Sequence, residues 1–251
     1  MNKIGILGYG EIGKSIEQVY LNNNSFKYDI RIKDLDRNDD FTGLDILNVC
    51  IPYHTDEQFI KAVSSQISEY RPTLTIIHST VSVGTTNILT DITEALIVHS
   101  PVRGVHPNLY EGIMTFVKFI GADVGEAANL ANLHFKELGI STHVCNSSRT
   151  TELGKLFSTT YYGLAIAWHG EMEKICKNVG VSFDQAVTAF NETYNEGYKN
   201  LEKPEVVRPV LYPPSDGIGG HCILPNVEIL KELSNSLVYE LINQYKKGDR
   251  K

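Results

Sequence analysis

The sequence predicts an α/β fold in two parts, a doubly wound parallel sheet with its helices followed by an all-helical domain. Short apolar runs alternate with helix-like segments over residues 1–147, which is the pattern of crossovers between parallel strands. A glycine-rich turn directly follows the first of these runs. Residues 148–251 carry long helical patterns and no strand-like runs. We therefore expect two domains, residues 1–147 and residues 148–251.

The composition argues against several classes of protein. Hydrophobic residues make up 42% of the chain and charged residues 21%, as in ordinary globular proteins. The formal net charge of −7 disfavours a nucleic-acid partner, because phosphate binding needs a basic face. No apolar run is long enough to span a membrane, and the cysteines and histidines show no metal-ligand spacing. We expect a cytoplasmic protein with no metal and neither a membrane nor a nucleic-acid partner.

The glycine-rich turn has the spacing G-x-G-x-x-G and lies between a strand-like run and a helical pattern. In such a turn the first glycine makes the bend, the second lets a pyrophosphate approach the backbone, and the third lets the helix pack closely. The helix N-terminus then directs its free N–H groups at the phosphates. This context predicts the dinucleotide site of a Rossmann domain. The residues expected to contact the cofactor here are Gly8, Tyr9, Gly10, Glu11, Ile12 and Gly13.

An acidic residue after the second strand-like run predicts the choice of cofactor. Asp34 ends the run at residues 28–33 and lies about 20 residues after Gly13, the spacing of a ribose-binding acid. Its carboxylate would repel a 2′-phosphate, so NAD is favoured over NADP. Asp36 is an alternative for the same role, and Arg37 beside it leaves NADP open.

Loops at the carboxyl ends of the strands are expected to face the cofactor. Further strands are predicted at residues 44–52, 74–79, 95–100, 117–121 and 141–144, with helices at 56–70 and 125–138. Because ligands of such sheets bind beyond the carboxyl ends of the strands, Pro52 and Thr80 are expected to contact the cofactor. Arg103 and His106 are positive donors suited to a carboxylate or phosphate of the substrate, and a solvated loop is the alternative there.

The C-terminal half is predicted to contain three helices. The first runs from Thr150 to about Gly180. The second begins at a cap, Ser182 or Asp184, and runs to about Asn195, and the third runs from Pro225 to about Tyr245. The first helix is expected to form a homodimer contact, since its apolar surface exceeds what one small helical domain covers. Its side chains Tyr161, Tyr162, Trp168 and His169 are interpreted as packing residues.

Three side chains of the first helix share one face, namely Glu152, Lys155 and Thr159. A lysine in an otherwise apolar helix next to a cofactor domain is a candidate for function. The alternative is a surface lysine paired with Glu152.

A glycine loop precedes one of the cysteines, at Gly219, Gly220, His221 and Cys222. Such a loop brings backbone N–H groups close to a ligand, with a thiol among them. A reactive thiolate is one interpretation of Cys222, and a buried small hydrophobic residue is the other.

Five motifs, in this order along the chain, resemble the UDP-glucose/GDP-mannose dehydrogenase family, relatives of the 6-phosphogluconate and β-hydroxyacid dehydrogenases. The motifs are Gly8-x-Gly10-x-x-Gly13, the strand end at residues 49–52, the segment at residues 79–86, Glu152-x-x-Lys155 and Gly219-Gly220-His221-Cys222. The resemblance implies NAD-dependent oxidation of a CH–OH group of a nucleotide sugar at the domain interface. It also implies substrate contacts at Glu152 and at the glycine loop.

The resemblance assigns catalytic roles to individual residues. It implies that Cys222 attacks an aldehyde intermediate, that the thiohemiacetal transfers hydride to NAD, and that water hydrolyses the resulting thioester. Lys155 would stabilise the oxyanion, with Thr80 near the water or substrate. Thr159 stands where the family usually has Asn, and Asn226 stands where it usually has Asp. An amide cannot act as a base, so a slow or stalled thioester is expected.

Two further departures from the family are present. Val102 occupies the position of an acid after the proline of a strand end. The family also carries a third, C-terminal domain that binds the nucleotide of the sugar, and we expect the chain to lack it.

Two alternatives remain open. The first is a β-hydroxyacid-type or 6-phosphogluconate-type dehydrogenase, which would use Lys155 on a hydroxy acid without covalent catalysis. The second is a non-catalytic NAD-binding protein.

Overall fold

The structure, a computed structural model, describes residues 2–24, 27–104, 107–219 and 222–247. The chain divides into two compact units, Met1–Lys155 and Leu156–Lys251. The division falls inside a long helix, α6 (Ser148–Val179), whereas the sequence analysis places the domain boundary at the first residue of that helix.

The first unit is built on an eight-stranded sheet. Its strands are β1 (Asn2–Leu7), β2 (Tyr28–Asp34), β3 (Arg37–Asn38), β4 (Ile46–Val49), β5 (Leu74–Ile77), β6 (Ile97–His99), β7 (Lys118–Gly121) and β8 (Thr142–Cys145). They lie in the order β3-β2-β1-β4-β5-β6-β7-β8. The order reverses direction at β1, which lies between β2 and β4, and this is where doubly wound sheets bind ligands. The predicted fold class is confirmed.

Helices cover both faces of this sheet. They are α1 (Glu11–Asn24), α2 (Asp56–Tyr70), α3 (Thr85–Thr93), α4 (Leu109–Thr115) and α5 (Gly125–Glu137). Neighbouring residues of one strand point to opposite faces, so Ile76 packs in the core under α1, α4 and α5, and Ile77 packs in the core under α2 and α3. The two short helices α3 and α4 were not predicted.

The sheet is not wholly parallel, which corrects the sequence analysis. Strand β7 pairs antiparallel with β6, and β8 pairs parallel with β7. The connection from β6 to β7, residues 100–117, contains the seven-residue helix α4 and returns to the same end of the sheet. As a consequence, the amino end of β7 lies beside the loop after β6 and the residue that follows β5, His78. The two-residue strand β3, antiparallel to β2, was also not predicted.

The second unit contains the rest of α6, a π-helical segment and three further helices. They are Asp184–Thr188 in the π-helical segment, α7 (Ala189–Asn200), α8 (Ile223–Lys231) and α9 (Leu237–Gln244). Small residues of α6 allow close packing within this unit. A Cβ atom at Gly163 would lie 2.5 Å from Cγ2 of Ile223, and one at Gly170 would lie 2.2 Å from Cε1 of Tyr245. An all-helical second half is confirmed.

Two expectations for the second half are wrong. The last helix is not continuous from Pro225 to Tyr245, because the chain breaks between α8 and α9. The next helix, α9, begins after Ser236, which is its N-cap residue. The hydroxyl of Ser236 accepts a hydrogen bond from the N–H of Val238. The packing interpretation also fails for three aromatic residues, because Tyr161, Tyr162 and Trp168 are exposed; His169 is buried as expected. Within the described ranges, no helix has the length and apolar character of a membrane span.

Candidate active site

The glycine-rich turn is shaped by close backbone contacts. A Cβ atom at Gly13 would lie 2.0 Å from the carbonyl oxygen of Gly8, and one at Gly8 would lie 2.7 Å from the N atom of Ile51. Gly8 also has a φ of +94°, which a side chain would strain. Gly10 has no such neighbour within 4 Å, so the backbone there is open to a ligand. The turn therefore has the shape that a pyrophosphate requires.

Asp34 lies against this turn at the carboxyl end of β2. Its carboxylate accepts hydrogen bonds from the N–H groups of Tyr9 and Leu35. A carboxylate has about four acceptor sites, so ribose hydroxyls still have acceptors available. The guanidinium of Arg37 pairs with Asp39 at 2.8 Å, and this partner holds the pKa of Asp39 below its usual value. Both features fit NAD better than NADP.

The loop that carries Thr80 is held by a carboxylate at the start of α2. The Oδ1 atom of Asp56 accepts hydrogen bonds from the hydroxyls of Tyr53, Ser82 and Thr85, at 2.9, 2.7 and 3.0 Å. Thr80 itself is half-buried. The sequence analysis missed Asp56, because an acid in the first turn of a helix is an ordinary feature.

Glu152 has a structural partner that was not anticipated. Its carboxylate is buried and accepts hydrogen bonds from the N–H of Gly84 at 2.7 Å and of Thr86 at 2.9 Å. These N–H groups begin α3, so Glu152 caps that helix. Burial raises the pKa of Glu152, and the backbone hydrogen bonds oppose this increase. The substrate contact expected of Glu152 stays a prediction.

Lys155 meets the loop after β6. Its Nζ atom donates a hydrogen bond to the carbonyl of Val102 at 2.9 Å. The side chain of Val102 is buried, and the guanidinium of Arg103 lies over the rings of Phe116 and Phe119. Lys155 is thus brought to the end of the sheet that carries the glycine-rich turn. Arg103 directly follows its partner Val102 in the chain.

A buried histidine also fixes the first turn of α6. The Nδ1 atom of His99 contacts the hydroxyl of Thr151 at 2.8 Å, and its Nε2 atom contacts the carbonyl of Ser79 at 3.1 Å. Burial lowers the pKa of His99 to about 3. The sequence analysis missed it, although a histidine at the end of an apolar strand is a recognisable signal.

Cys222 is the exposed one of the four cysteines, and it is the N-cap residue directly before α8. The free N–H groups of a helix N-terminus are favourable neighbours for a negatively charged sulfur. Burial raises the pKa of Cys50 to about 12 and also raises the pKa of Cys145. Asn226, one turn beyond Cys222, is buried.

A pocket of about 400 Å³ opens in the second unit beside the loop before Cys222. Its lining is largely apolar and aromatic, and includes Tyr162, Ile166, Tyr212, Gly219 and Ile223. Thr159 precedes Tyr162 by about one turn of α6 and is half-buried. Three predicted site residues, His106, Gly220 and His221, lie outside the described residues. No group of side chains in the described ranges has the composition of a metal site.

Comparisons with known proteins bear on the second half most directly. Residues 149–247 match the central domain of the UDP-glucose/GDP-mannose dehydrogenase family. The chain is 24% identical over 223 residues to a UDP-N-acetyl-D-mannosamine dehydrogenase of Pyrococcus horikoshii, covering 82% of this chain and 50% of the relative. It is 25% identical over 195 residues to the enzyme of that name from Methanococcus vannielii, covering 77% of this chain and 39% of the relative. The chain therefore spans half or less of the length of these relatives.

Solved structures share the fold. A UDP-D-ManNAc dehydrogenase from Pyrococcus horikoshii matches 97% of this chain and 68% of its own, with a TM-score of 0.77 and 18% identity. A UDP-glucose dehydrogenase from Pyrobaculum islandicum matches 98% of this chain and 68% of its own, with a TM-score of 0.74 and 15% identity. A 3-hydroxyisobutyrate dehydrogenase from Mycobacterium tuberculosis matches 98% of this chain and 92% of its own, with a TM-score of 0.70 and 14% identity. The resemblance inferred from the motifs is confirmed.

We predict that His99 makes the protein less stable in mild acid. Its folded-state pKa of about 3 lies below the unfolded value, so the unfolded chain binds the proton first and stability falls as the pH drops from about 6.5. The free energy of unfolding should lose about 2 kcal/mol between pH 7 and pH 5 from this group alone. Urea unfolding at both values would show a smaller difference in His99→Gln than in the unmodified protein.

The matched control is His143→Gln, at an exposed histidine of the edge strand β8. It should leave the difference between pH 7 and pH 5 unchanged. Equal pH dependence of all three proteins would contradict the assignment of His99.

Proposed function

We propose, from the match of residues 149–247 to the central domain of the UDP-glucose/GDP-mannose dehydrogenase family, that the protein is an NAD-dependent oxidoreductase acting on the CH–OH group of a nucleotide sugar. The observation that carries the proposal is that the matched region includes both Lys155 and Cys222 and follows a dinucleotide-type turn. The named relatives suggest UDP-N-acetyl-D-mannosamine as the first substrate to test.

NAD fits the groups at the sheet end. The N–H groups of the turn from Gly8 to Gly13 would bind the pyrophosphate, and Asp34 would accept hydrogen bonds from the ribose hydroxyls. Pro52 and Thr80 would line the site at the ends of β4 and β5. When bound, NAD supplies the hydride acceptor.

Lys155 and Cys222 are proposed to carry out the two oxidations. The Cys222 thiolate adds to the carbonyl carbon of the aldehyde formed in the first oxidation, and Lys155 stabilises the negative oxygen that results. Loss of a hydride from that carbon leaves a thioester, and water cleaves it to a carboxylate and the free thiol. Thr80 and Thr159 would orient the water or the substrate. The amide of Asn226 does not act as a base, so thioester cleavage is the slow step.

Substrate contacts are proposed for Arg103 and Glu152 in the first unit and Gly219 in the second. Arg103 offers a positive group to a phosphate, and Gly219 is part of the lining of the apolar pocket. The predicted contacts at His106, Gly220 and His221 complete the set.

A second candidate is a β-hydroxyacid-type dehydrogenase that uses Lys155 alone. It is favoured by the match to the 3-hydroxyisobutyrate dehydrogenase, because this chain covers 92% of that protein. The two candidates differ in whether Cys222 forms a covalent bond.

An exposed apolar stripe on α6 supports the proposed homodimer. The stripe consists of Phe157, Tyr161, Trp168, Ile175 and Val179, all exposed. Their spacings of four and seven residues place them on one side of the helix. Isolated apolar residues on a surface are ordinary, but a continuous stripe on a long helix indicates a protein partner. We propose that a second copy of the chain covers it.

Substituting Cys222 and Lys155 separates the candidates. For the nucleotide-sugar mechanism, Cys222→Ser should form aldehyde and one NADH, with aldehyde oxidation reduced about a hundredfold or more. Lys155→Ala should also lose aldehyde oxidation, because the negative oxygen is no longer stabilised. NADH absorbance with UDP-N-acetyl-D-mannosamine, and mass spectrometry of the products, measure these outcomes.

The control is Cys145→Ser, the same change at a half-buried cysteine, which should leave both steps intact. Full aldehyde oxidation by Cys222→Ser would refute the covalent role. Turnover of a hydroxy acid by Cys222→Ser, but not by Lys155→Ala, would favour the second candidate. Cofactor binding with no turnover of any substrate would leave a non-catalytic NAD-binding protein.

The dimer is tested by placing a charge in the stripe. Trp168→Glu should give a monomer by light scattering at micromolar concentration, because a carboxylate in an apolar interface is costly to desolvate. Asn178→Glu, at an exposed position outside the stripe, should remain a dimer. A monomer in the unmodified protein would refute the proposal.

A further inference from the structure

Lys118 is a buried cation that the proposed mechanism does not use. It begins β7, and its side chain is buried. Among the described residues, no carboxylate forms an ion pair with it. Its Nζ atom instead contacts the carbonyl oxygens of Ser100 and Pro101, at 2.7 and 3.2 Å, and the Nδ1 atom of His78 at 3.2 Å. A buried ammonium is costly, and these three contacts offset part of the cost.

The position of Lys118 follows from the antiparallel direction of β7. Because β7 runs against β6, its last residue, Gly121, pairs with His99 at the end of β6, and its first residue, Lys118, lies beside the loop that follows β6. A second hydrogen bond joins the same segments, since the hydroxyl of Ser100 donates to the carbonyl of Phe119 at 2.7 Å. The start of β7 therefore holds the loop after β6 at two points.

Two lysines bind three consecutive carbonyls of this loop. Lys118 binds the carbonyls of Ser100 and Pro101, and Lys155 binds the next one, that of Val102. The ring of Pro101 restricts the backbone between them. Displacement of the first two carbonyls would therefore displace the acceptor of Lys155.

We infer that Lys118 is a positioning residue for Lys155, because it fixes the loop whose Val102 carbonyl holds the Lys155 ammonium. The inference rests on the proposed function, in which Lys155 stabilises the oxyanion. Lys118 acts through the loop and touches neither substrate nor cofactor in this scheme.

The surroundings of Lys118 make the interaction sensitive to pH. His78 faces it from the end of β5, the ring of Phe135 faces it from α5 at 5.7 Å, and Cys50 and Lys155 are the other titratable groups that influence it. Burial lowers the pKa of Lys118 to about 7, and the positive charge of Lys155 adds to this effect. The charge on Lys118 is therefore lost as the pH rises through neutrality, and the hold on the loop weakens.

The test compares Lys118→Met with Tyr20→Phe. Met has a similar length and no N–H donors. A chain of buried polar groups runs from Lys118 through His78 to Asn48, whose Oδ1 contacts Nε2 of His78 at 2.9 Å, and on to the hydroxyl of Tyr20, which accepts from Nδ2 of Asn48 at 3.1 Å. Tyr20→Phe also removes a group from this chain, but at its far end, where the Tyr20 hydroxyl contacts His134 at 2.8 Å. The readout is the rate at which trace acetic anhydride acetylates Lys155, measured by mass spectrometry against exposed Lys199 of the same molecule.

In Lys118→Met we expect Lys155 to react about tenfold faster, the factor expected for loss of a charge-assisted hydrogen bond. The rise of the rate with pH around 7 should also change in this variant. In Tyr20→Phe the acetylation rate of Lys155 and its dependence on pH should both match those of the unmodified protein. If Lys118→Met does not fold, Lys118→Gln, which keeps two N–H donors without the charge, should give an intermediate rate.

An unchanged rate at Lys155 in the folded Lys118 variant would overturn the inference, and so would an equal increase in Tyr20→Phe. Acetylation does not depend on turnover. A faster rate in Lys118→Met with no activity in any protein would support the link between the two lysines while refuting the proposed function.

Discussion

Side chains in the first two turns of α6 form hydrogen bonds to the end of β6, to the loop after it and to the N-terminus of α3. The candidate site depends on these hydrogen bonds. Thr151 contacts His99 at the end of β6, Glu152 caps α3, and Lys155 binds the loop after β6. The backbone of β7 allows the approach, because a Cβ atom at Gly121 would lie 2.3 Å from the Thr151 hydroxyl. These bonds bring Lys155 to the end of the sheet where the glycine-rich turn and Asp34 lie.

The groups that hold α6 and the loop after β6 are polar and buried, so the same groups affect the stability of the protein and the position of Lys155. Burial shifts the pKa of His99 and Lys118 downward and that of Glu152 upward. Buried ionisable groups with such shifts occur preferentially at functional sites, because they are costly wherever packing alone is required. In this molecule they hold the lysine that the proposed reaction needs, so a change of protonation would affect both stability and catalysis.

Local patterns predicted the elements well, and long-range contacts explain the rest. The apolar runs and the G-x-G-x-x-G spacing identified the strands and the turn at Gly8, because their signals lie within a few residues. The chain returns antiparallel at β7 after the seven-residue helix α4, which has no strong sequence pattern. The bond from Glu152 to the N-terminus of α3 joins positions far apart in the chain, so helix spacing alone suggested a pair with Lys155. The aromatic residues of the α6 stripe look like core residues by type, and only their exposure distinguishes them.

The central claim is that this end of the sheet binds NAD through Asp34, and calorimetric titration tests it directly. The unmodified protein should bind NAD more tightly than NADP, because the Asp34 carboxylate accepts from ribose hydroxyls and repels a 2′-phosphate. Asp34→Ala should weaken NAD and reduce the preference, whereas Asp36→Ala should change neither. Equal affinity of the unmodified protein for the two cofactors, or no binding of either, would contradict the account.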